Sequence, residues 1–348
     1  MGDVRELLRA DERFVRWEKA AQERGGPQAA VVLPPDDELP EVLLDLAVPH
    51  EDINTLVAVR PVVTEEPGFR WLVERSVANL VRDMGVVRKG SDMPPVADGL
   101  LPEEGRLAAA GRCLPVYVFL AALPYVRAHH RERGIPETVS RRTLADLGRH
   151  LAVHRRRTGR TGLLHPWWPT LHFRGELYQL GRLQFQRARL DERTGAAVAA
   201  AGLPLGSGGR PLGPGGPALN VHIPDFSGPM TPGACDASVD RARVFFPRHF
   251  PEEPYTVAMC NSWLLDRQLR EYLPESSNIV RFQDRFHDAP PLPDAPVEPD
   301  DTEPVAFVFG DPALDIAGLP RRTAVERAVT DHLRAGGHWY GGYGWFTL

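Results

Sequence analysis

Apolar residues recur at helical spacing through the first half of the chain. Val4, Leu7, Leu8, Phe14, Val15 and Trp17 make one such face, which ends at Gly25-Gly26. The same spacing predicts helices over 39–47, 68–84, 106–133 and 138–157, the last with Leu144, Leu147 and Leu151 three and four residues apart. Pro34-Pro35 and Gly134 punctuate these segments. No convincing strand occurs before about residue 165, and no internal repeat is visible.

The period changes at Thr158-Gly159-Arg160-Thr161-Gly162. This break predicts a helical domain over 1–157 and a mixed domain over 158–348. Segments 171–174 and 177–189 read as strands around a tight turn at Gly175. Leu183 and Phe185 alternate there with Arg182, Gln184 and Gln186. A Gly- and Pro-rich loop fills 202–217. Then come a strand at 219–223, a helix at 233–246, a strand at 255–262, a helix at 264–272 and an amphipathic segment at 278–286. An acidic, Pro-rich linker over 288–304 need not be ordered. A strand at 305–309, a helix at 321–334 and a strand at 343–348 close the chain. Strands alternating with helices behind an all-helical half give an α+β chain.

Composition narrows the function little. The 348 residues are enough for two domains, and 43% hydrophobic with 25% charged residues is ordinary for a globular protein. A net charge of −5 gives no bulk attraction to nucleic acid or anionic membrane. Of the 41 basic residues only Lys19 and Lys89 are lysines, so the arginine clusters are discounted as compositional bias. Cys113, Cys235 and Cys260 form no CxxC pair, which fits a reducing, cytoplasmic setting. The N-terminus lacks the apolar core of a signal peptide. The apolar run 113–126 contains Pro115 and Pro124, is short for a bilayer, and reads as a buried helix.

The segment richest in candidate chemistry is 219–246. Its strand stops at Pro224, and Asp225 to Met230 cannot be regular. Thr231 suits a helix N-cap and Pro232 the first helical position. Gly233 and Ala234 leave the helix start uncrowded, as a phosphate site requires. The competing reading is a common Thr-Pro helix start that binds nothing.

Several ordered blocks now combine: Gly175-Glu-Leu-Tyr-Gln-Leu-Gly-Arg-Leu-Gln-Phe185, His222-Ile-Pro224, Cys260-Asn-Ser-Trp-Leu-Leu265, and Ser277-Asn278 with Phe282 and Phe286. Together they resemble the GNAT-like C-terminal acyltransferase domain, which follows a helical N-acyltransferase N-terminal domain. The resemblance implies a central, mostly antiparallel sheet in which two strands splay apart. It implies acetyl-CoA or another acyl-CoA as donor, with the pantetheine arm between the strands. The backbone of Val221 and Ile223 would pair with the arm, and Asn278 and Phe282 would lie beside it. Ser227, Gly228, Thr231, Gly233, Ala234 and Cys235 would meet the diphosphate. The loop departs from the usual Gln/Arg-x-x-Gly-x-Gly/Ala pattern, because Pro224, Pro229 and Pro232 carry no amide donor.

Acyl transfer to an amine needs orientation, an oxyanion donor and a proton acceptor. His222 is the first candidate base, against a half-buried structural histidine. Glu176 is a second, acting through water, against a solvated turn residue. By the resemblance, Tyr272 would protonate the leaving thiolate and the Ile223 amide would hold the oxyanion. Cys260 with His222 and Asp225 offers a thiol route, against a small buried strand residue. His150 and His154 have metal-ligand spacing but sit among arginines. Trp167 and Trp168 serve either domain packing or an acceptor pocket. The leading expectation is an acyl-CoA-dependent N-acyltransferase acting on a small-molecule or peptide amine, with no metal, nucleic acid or membrane partner. The alternative is a non-catalytic acyl-CoA-binding protein on the same scaffold. Oligomeric state is not readable.

Overall fold

The computed structural model describes residues 11–23, 30–87, 107–202 and 212–348, with 4, 8, 9 and 105 besides. Leu7, Gly25-Gly26 and residues 203–211 of the Gly/Pro-rich loop lie outside them. The chain divides into two compact units, Met1–Tyr178 and Gln179–Leu348.

The first unit is helical: α1 Glu12–Glu23, α2 Leu39–Asp45, α3 His50–Glu65, α4 Pro67–Arg82, α5 Ala108–Glu132, α6 Glu137–Leu144, α7 Asp146–Thr158 and α8 Trp167–Phe173. The sequence-based division at 157/158 differs from this one. Gly159 is only the left-handed cap of α7, at φ 69°. Beyond it 171–174, expected as a strand, belongs to α8 and its cap. Phe173 is buried, with its ring 4.8 Å from Phe119. Helix α3 escaped the periodicity reading. It holds Pro61 and several β-branched residues, which weaken the local signal. Burial of Ile53, Leu56, Val59 and Val63 supplies what propensity lacks.

Helix α5 forms the middle of this core. It is long and apolar enough to cross a membrane by length and composition, yet most of it is buried inside the unit. Tyr117 on α5 donates to the carbonyl of Leu56 on α3 at 2.6 Å.

The second unit carries a mixed sheet. The strands of the sheet are β1 Leu177–Gln179, which spans the boundary between the units, then β2 Gln184–Arg189, β3 Pro217–His222, β4 Val257–Ser262, β5 His287–Asp288 and β6 Gly342–Thr347, in the order β1-β2-β3-β4-β6-β5. Its helices are α9 Glu192–Ala200, α10 Pro232–His249, α11 Asn278–Gln283, α12 Thr302–Phe309 and α13 Ala324–Arg334. Three expectations change here. Residues 264–272 are two short 3₁₀ turns, Trp263–Leu265 and Arg267–Glu271, with Asp266 capping the second. Residues 305–309, expected as a strand, lie in α12, where Pro304, Val305 and Ala306 are buried. The turn falls between Gln179 and Gln184, not at Gly175.

Strands β2–β3, β4–β6 and β5–β6 pair antiparallel, whereas β3 and β4 run parallel through α10. Parallel pairing joins Leu219 to Ala258 and Asn220 to Met259 and stops there, although the strands continue to His222 and Ser262. Beyond that point the two strands no longer pair with each other.

Register and alternation sort the side chains. One face carries Gln184, Gln186, Ala188, Ala218, Asn220, His222, Val257, Met259, Asn261, Tyr343 and Trp345. Ala188, Ala218, Val257 and Trp345 form a core with Val198 of α9, leaving the polar residues toward the end where β3 and β4 are unpaired. The opposite face carries Phe185, Arg187, Val221, Cys260, Gly344 and Phe346. Gly344 is needed there, because a Cβ would fall 2.7 Å from that of Phe286. Phe286 instead packs edge-on against Phe346, with ring centroids 5.2 Å apart.

Candidate active site

The site begins where β3 and β4 part. His222 is the last residue of β3, half-buried, and its Nε2 lies 2.9 Å from Gln186 Oε1. With that carbonyl oxygen accepting, Nε2 carries the proton and Nδ1 is the basic nitrogen. Gln186 and His222 meet because β2 and β3 place both side chains on one face. Asn261 shares the face from β4 and is exposed.

Cys260 is on the other face, so the register separates it from His222. Burial pushes its thiol up to about 12, and Glu303 adds to the rise. A thiolate is therefore scarce at neutral pH, and Cys260, His222 and Asp225 do not form the expected thiol triad.

The next stretch turns sharply. Phe226 sits at φ 57° and Gly228 at φ 79°, both in the left-handed region. For a bulky residue such as Phe226 this is an uncommon backbone state, and the side chain is 63% exposed. Ser227 donates to the carbonyl of Asp225 at 3.2 Å. Arg182, from the β1–β2 turn, donates Nε–H to the Gly228 carbonyl at 2.8 Å and Nη1–H to the Pro224 carbonyl at 3.2 Å.

Helix α10 starts as its sequence predicts. The Thr231 hydroxyl accepts from Ala234 N–H at 3.3 Å, and the Thr231 carbonyl accepts from Cys235 N–H at 3.0 Å. This revises the expected anion donors, because the Ala234 and Cys235 amides are already engaged. Gly233 remains, exposed, with open space where a Cβ would stand. Arg285, after α11, reaches the same helix start. It donates to the Pro232 carbonyl at 2.9 Å and pairs with Asp236.

The other expected residues fall in different settings. Val221 is buried and Ile223 partly so, at the end of β3. Asn278 is exposed behind the Ser277 cap of α11, and Phe282 is buried against Phe286 at 5.0 Å. Tyr272 is directed at His332. His332 Nε2–H donates to the His338 carbonyl at 3.1 Å, so Nδ1 accepts the phenol proton at 3.0 Å. Burial also raises the Tyr272 pKa. Its proton is held within this pair, which weakens the expected acid role. Glu176 belongs to the first unit, where it is buried and paired with Arg174. It is no solvated turn base. His150 contacts Asp146 at 3.0 Å, whereas His154 faces the Arg160 carbonyl at 2.8 Å, so they share no ligand point. Trp167 is 41% exposed, 5.0 Å from the Trp168 ring.

Arg182, Gln186 and Ser238 were missed as site residues. The alternation around Phe185 placed Gln186 on the polar side, but its register partner is Asn220, and only the side-chain hydrogen bond shows the diagonal contact with His222. Arg182 was hidden by the arginine-rich composition.

The family described as the GNAT-like C-terminal domain matches residues 177–346, and the N-acyltransferase N-terminal domain matches 37–175. No curated protein matches the chain. Among solved structures, an acyltransferase in complex with decanoyl-CoA and teicoplanin is 40% identical, with a TM-score of 0.84 over 99% of this chain and 98% of that one. An acyltransferase in complex with CoA and 10C-teicoplanin is 39% identical, with the same TM-score of 0.84 and coverage of 99% and 98%. A tryptophan-to-alanine variant in complex with octanoyl-CoA is 38% identical, with a TM-score of 0.84 over 100% of both chains. The break in β3–β4 pairing, the helix start and these matches agree, and the chain belongs to the acyltransferases that join an N-acyltransferase N-terminal domain to a GNAT-like C-terminal domain.

Proposed function

We propose that the chain transfers a medium-length acyl group from acyl-CoA to an amine of a glycopeptide of the teicoplanin kind. The observation that carries this reading is the break in β3–β4 pairing after Asn220–Met259, with His222 on the bordering face. The thioester arm lies in that opening, along Val221 and Ile223. Decanoyl and octanoyl donors bound to relatives about 40% identical support the chain length, and teicoplanin supports the acceptor.

The chemistry is direct attack. The acceptor nitrogen adds to the thioester carbonyl while His222 Nδ1 takes its proton, and Gln186 fixes the tautomer that allows this. The Ile223 amide donates to the carbonyl oxygen as it gains charge. The tetrahedral species then expels the CoA thiolate, which takes a proton from solvent, and an amide remains. Tyr272 has no part in this scheme.

The test is release of CoA thiol from decanoyl-CoA with and without a glycopeptide amine. Amine-dependent release with an acylated product supports transfer. Release that ignores the amine indicates hydrolysis, and binding without release contradicts the proposal.

A further inference from the structure

We infer that Arg182 is a positioning residue for the diphosphate of acyl-CoA, acting through the backbone of the loop that follows β3. The inference rests on the acyl-CoA reading of this opening.

The loop has the wrong sequence for its task. Pro224, Pro229 and Pro232 supply no amide hydrogens, and the Ala234 and Cys235 amides are engaged at the helix cap. The remaining amides must be aimed at the anion, and the carbonyls must be turned from it. Arg182 does the turning. Its guanidinium holds the carbonyls of Pro224 and Gly228, at the two ends of the turn that contains left-handed Phe226. In a trans peptide the C=O and N–H point in opposite directions. Holding the Pro224 carbonyl therefore directs the Asp225 N–H away from the guanidinium. The Gly228 carbonyl belongs to a peptide with proline, so no donor is lost by facing it inward. Carbonyl dipoles pointing at a diphosphate would repel it, and Arg182 removes two of them.

The same residue is tied to the helix. The buried Ser238 hydroxyl accepts from the backbone N–H of Arg182 at 2.8 Å and of Leu183 at 3.3 Å, and donates to the Ala234 carbonyl at 2.9 Å. Arg182 thus links the loop to the second turn of α10, with its side chain on one and its backbone on the other. Gly181 makes this approach possible. It adopts φ 100°, and a Cβ there would come within 2.4 Å of Arg241 Nη1 and 2.8 Å of Ser238 Oγ. A left-handed turn, a hydroxyl accepting two amides and a cation bridging two carbonyls all converge on one loop.

Two donors with the same acyl group separate this role from a general structural one: acyl-CoA, and S-acyl-pantetheine, which lacks the diphosphate. Arg182→Met in the full chain is expected to raise KM for acyl-CoA about tenfold or more, with kcat at saturation little changed. KM for S-acyl-pantetheine should not move. Arg182→Lys keeps the charge but reaches one carbonyl, so it should recover part of the loss. Should Arg182→Met fail to fold, Arg182→Lys alone must show the donor-selective rise. Equal KM changes for both donors, or none for either, overturn the inference. A wild-type chain that releases no CoA from acyl-CoA overturns the transferase reading itself and this inference with it.

Discussion

His130 and His172 of the helical unit stand in the opposite setting to His222 of the mixed unit. In the helical unit His130 is closed off, with Nδ1 2.8 Å from Ser140 Oγ, and burial pushes its pKa down to about 3. His172 lies 3.2 Å from Asp146 in the same unit, and burial brings it to about 4 despite that carboxylate. Neither gains a proton near neutral pH. In the mixed unit His222 stands half-exposed at the end of a strand that has lost its neighbour on one side. A proton acceptor needs access as well as the right ring, and His222 has both.

The strongest test of this contrast exchanges the ring. His222→Asn is expected to lower kcat by about 10²- to 10⁴-fold with little change in KM for acyl-CoA, as loss of a general base does. His130→Asn keeps a hydrogen-bonding atom toward Ser140 and should leave kcat within about twofold.

Acid should act on the helical unit through its buried rings. The folded-state values of His130 and His172 lie below the ordinary 6.5. Above pH 6.5 both states are neutral and pH has no effect through these groups. Below it the unfolded chain binds protons that the folded chain refuses, so stability falls as pH drops toward 4. The slope is about 1.4 kcal/mol per pH unit for each histidine. Asp146 contributes on the same side. Burial opposes its ionisation, but His172, His150 and Arg149 hold its pKa well below the usual value, so its contribution is lost only in stronger acid. His150 and His154 are lowered by burial as well and add to the slope. Urea midpoints between pH 7 and 4.5 measure it, and His130→Asn should remove one histidine's share.

A smaller effect is expected at the turn. Gly181→Ala places a side chain at φ 100° against Arg241 and Ser238 and should cost about 1–2 kcal/mol by denaturant titration. The smallest falls on the tautomer. Gln186→Leu removes the partner of His222 Nε2 and should reduce kcat by about five- to tenfold, roughly the value of one hydrogen bond.

The parts that were legible in the sequence are those with strong local signals. The Thr231-Pro232 helix start, the alternation around Phe185 and the strand ending at Pro224 all rest on neighbours in sequence. The parts that were not legible depend on distant ones. Helix α3 is held by burial against α5, and residues 305–309 are helical although an apolar run of that length also suits a strand. Separation of Cys260 from His222 follows from the β3–β4 register, which no local pattern states. Arg182 shows a different limit. Among so many arginines, its role emerges only from the two carbonyls that it holds.

The central claim, that acyl-CoA lies in the opening beside His222, is tested most directly by amide hydrogen exchange with and without decanoyl-CoA. Protection should appear in peptides covering 219–233, strongest around Val221, Ile223 and Gly233, and be lost when CoA is competed away. Protection confined to other segments, with 219–233 unchanged at saturating ligand, would contradict the account.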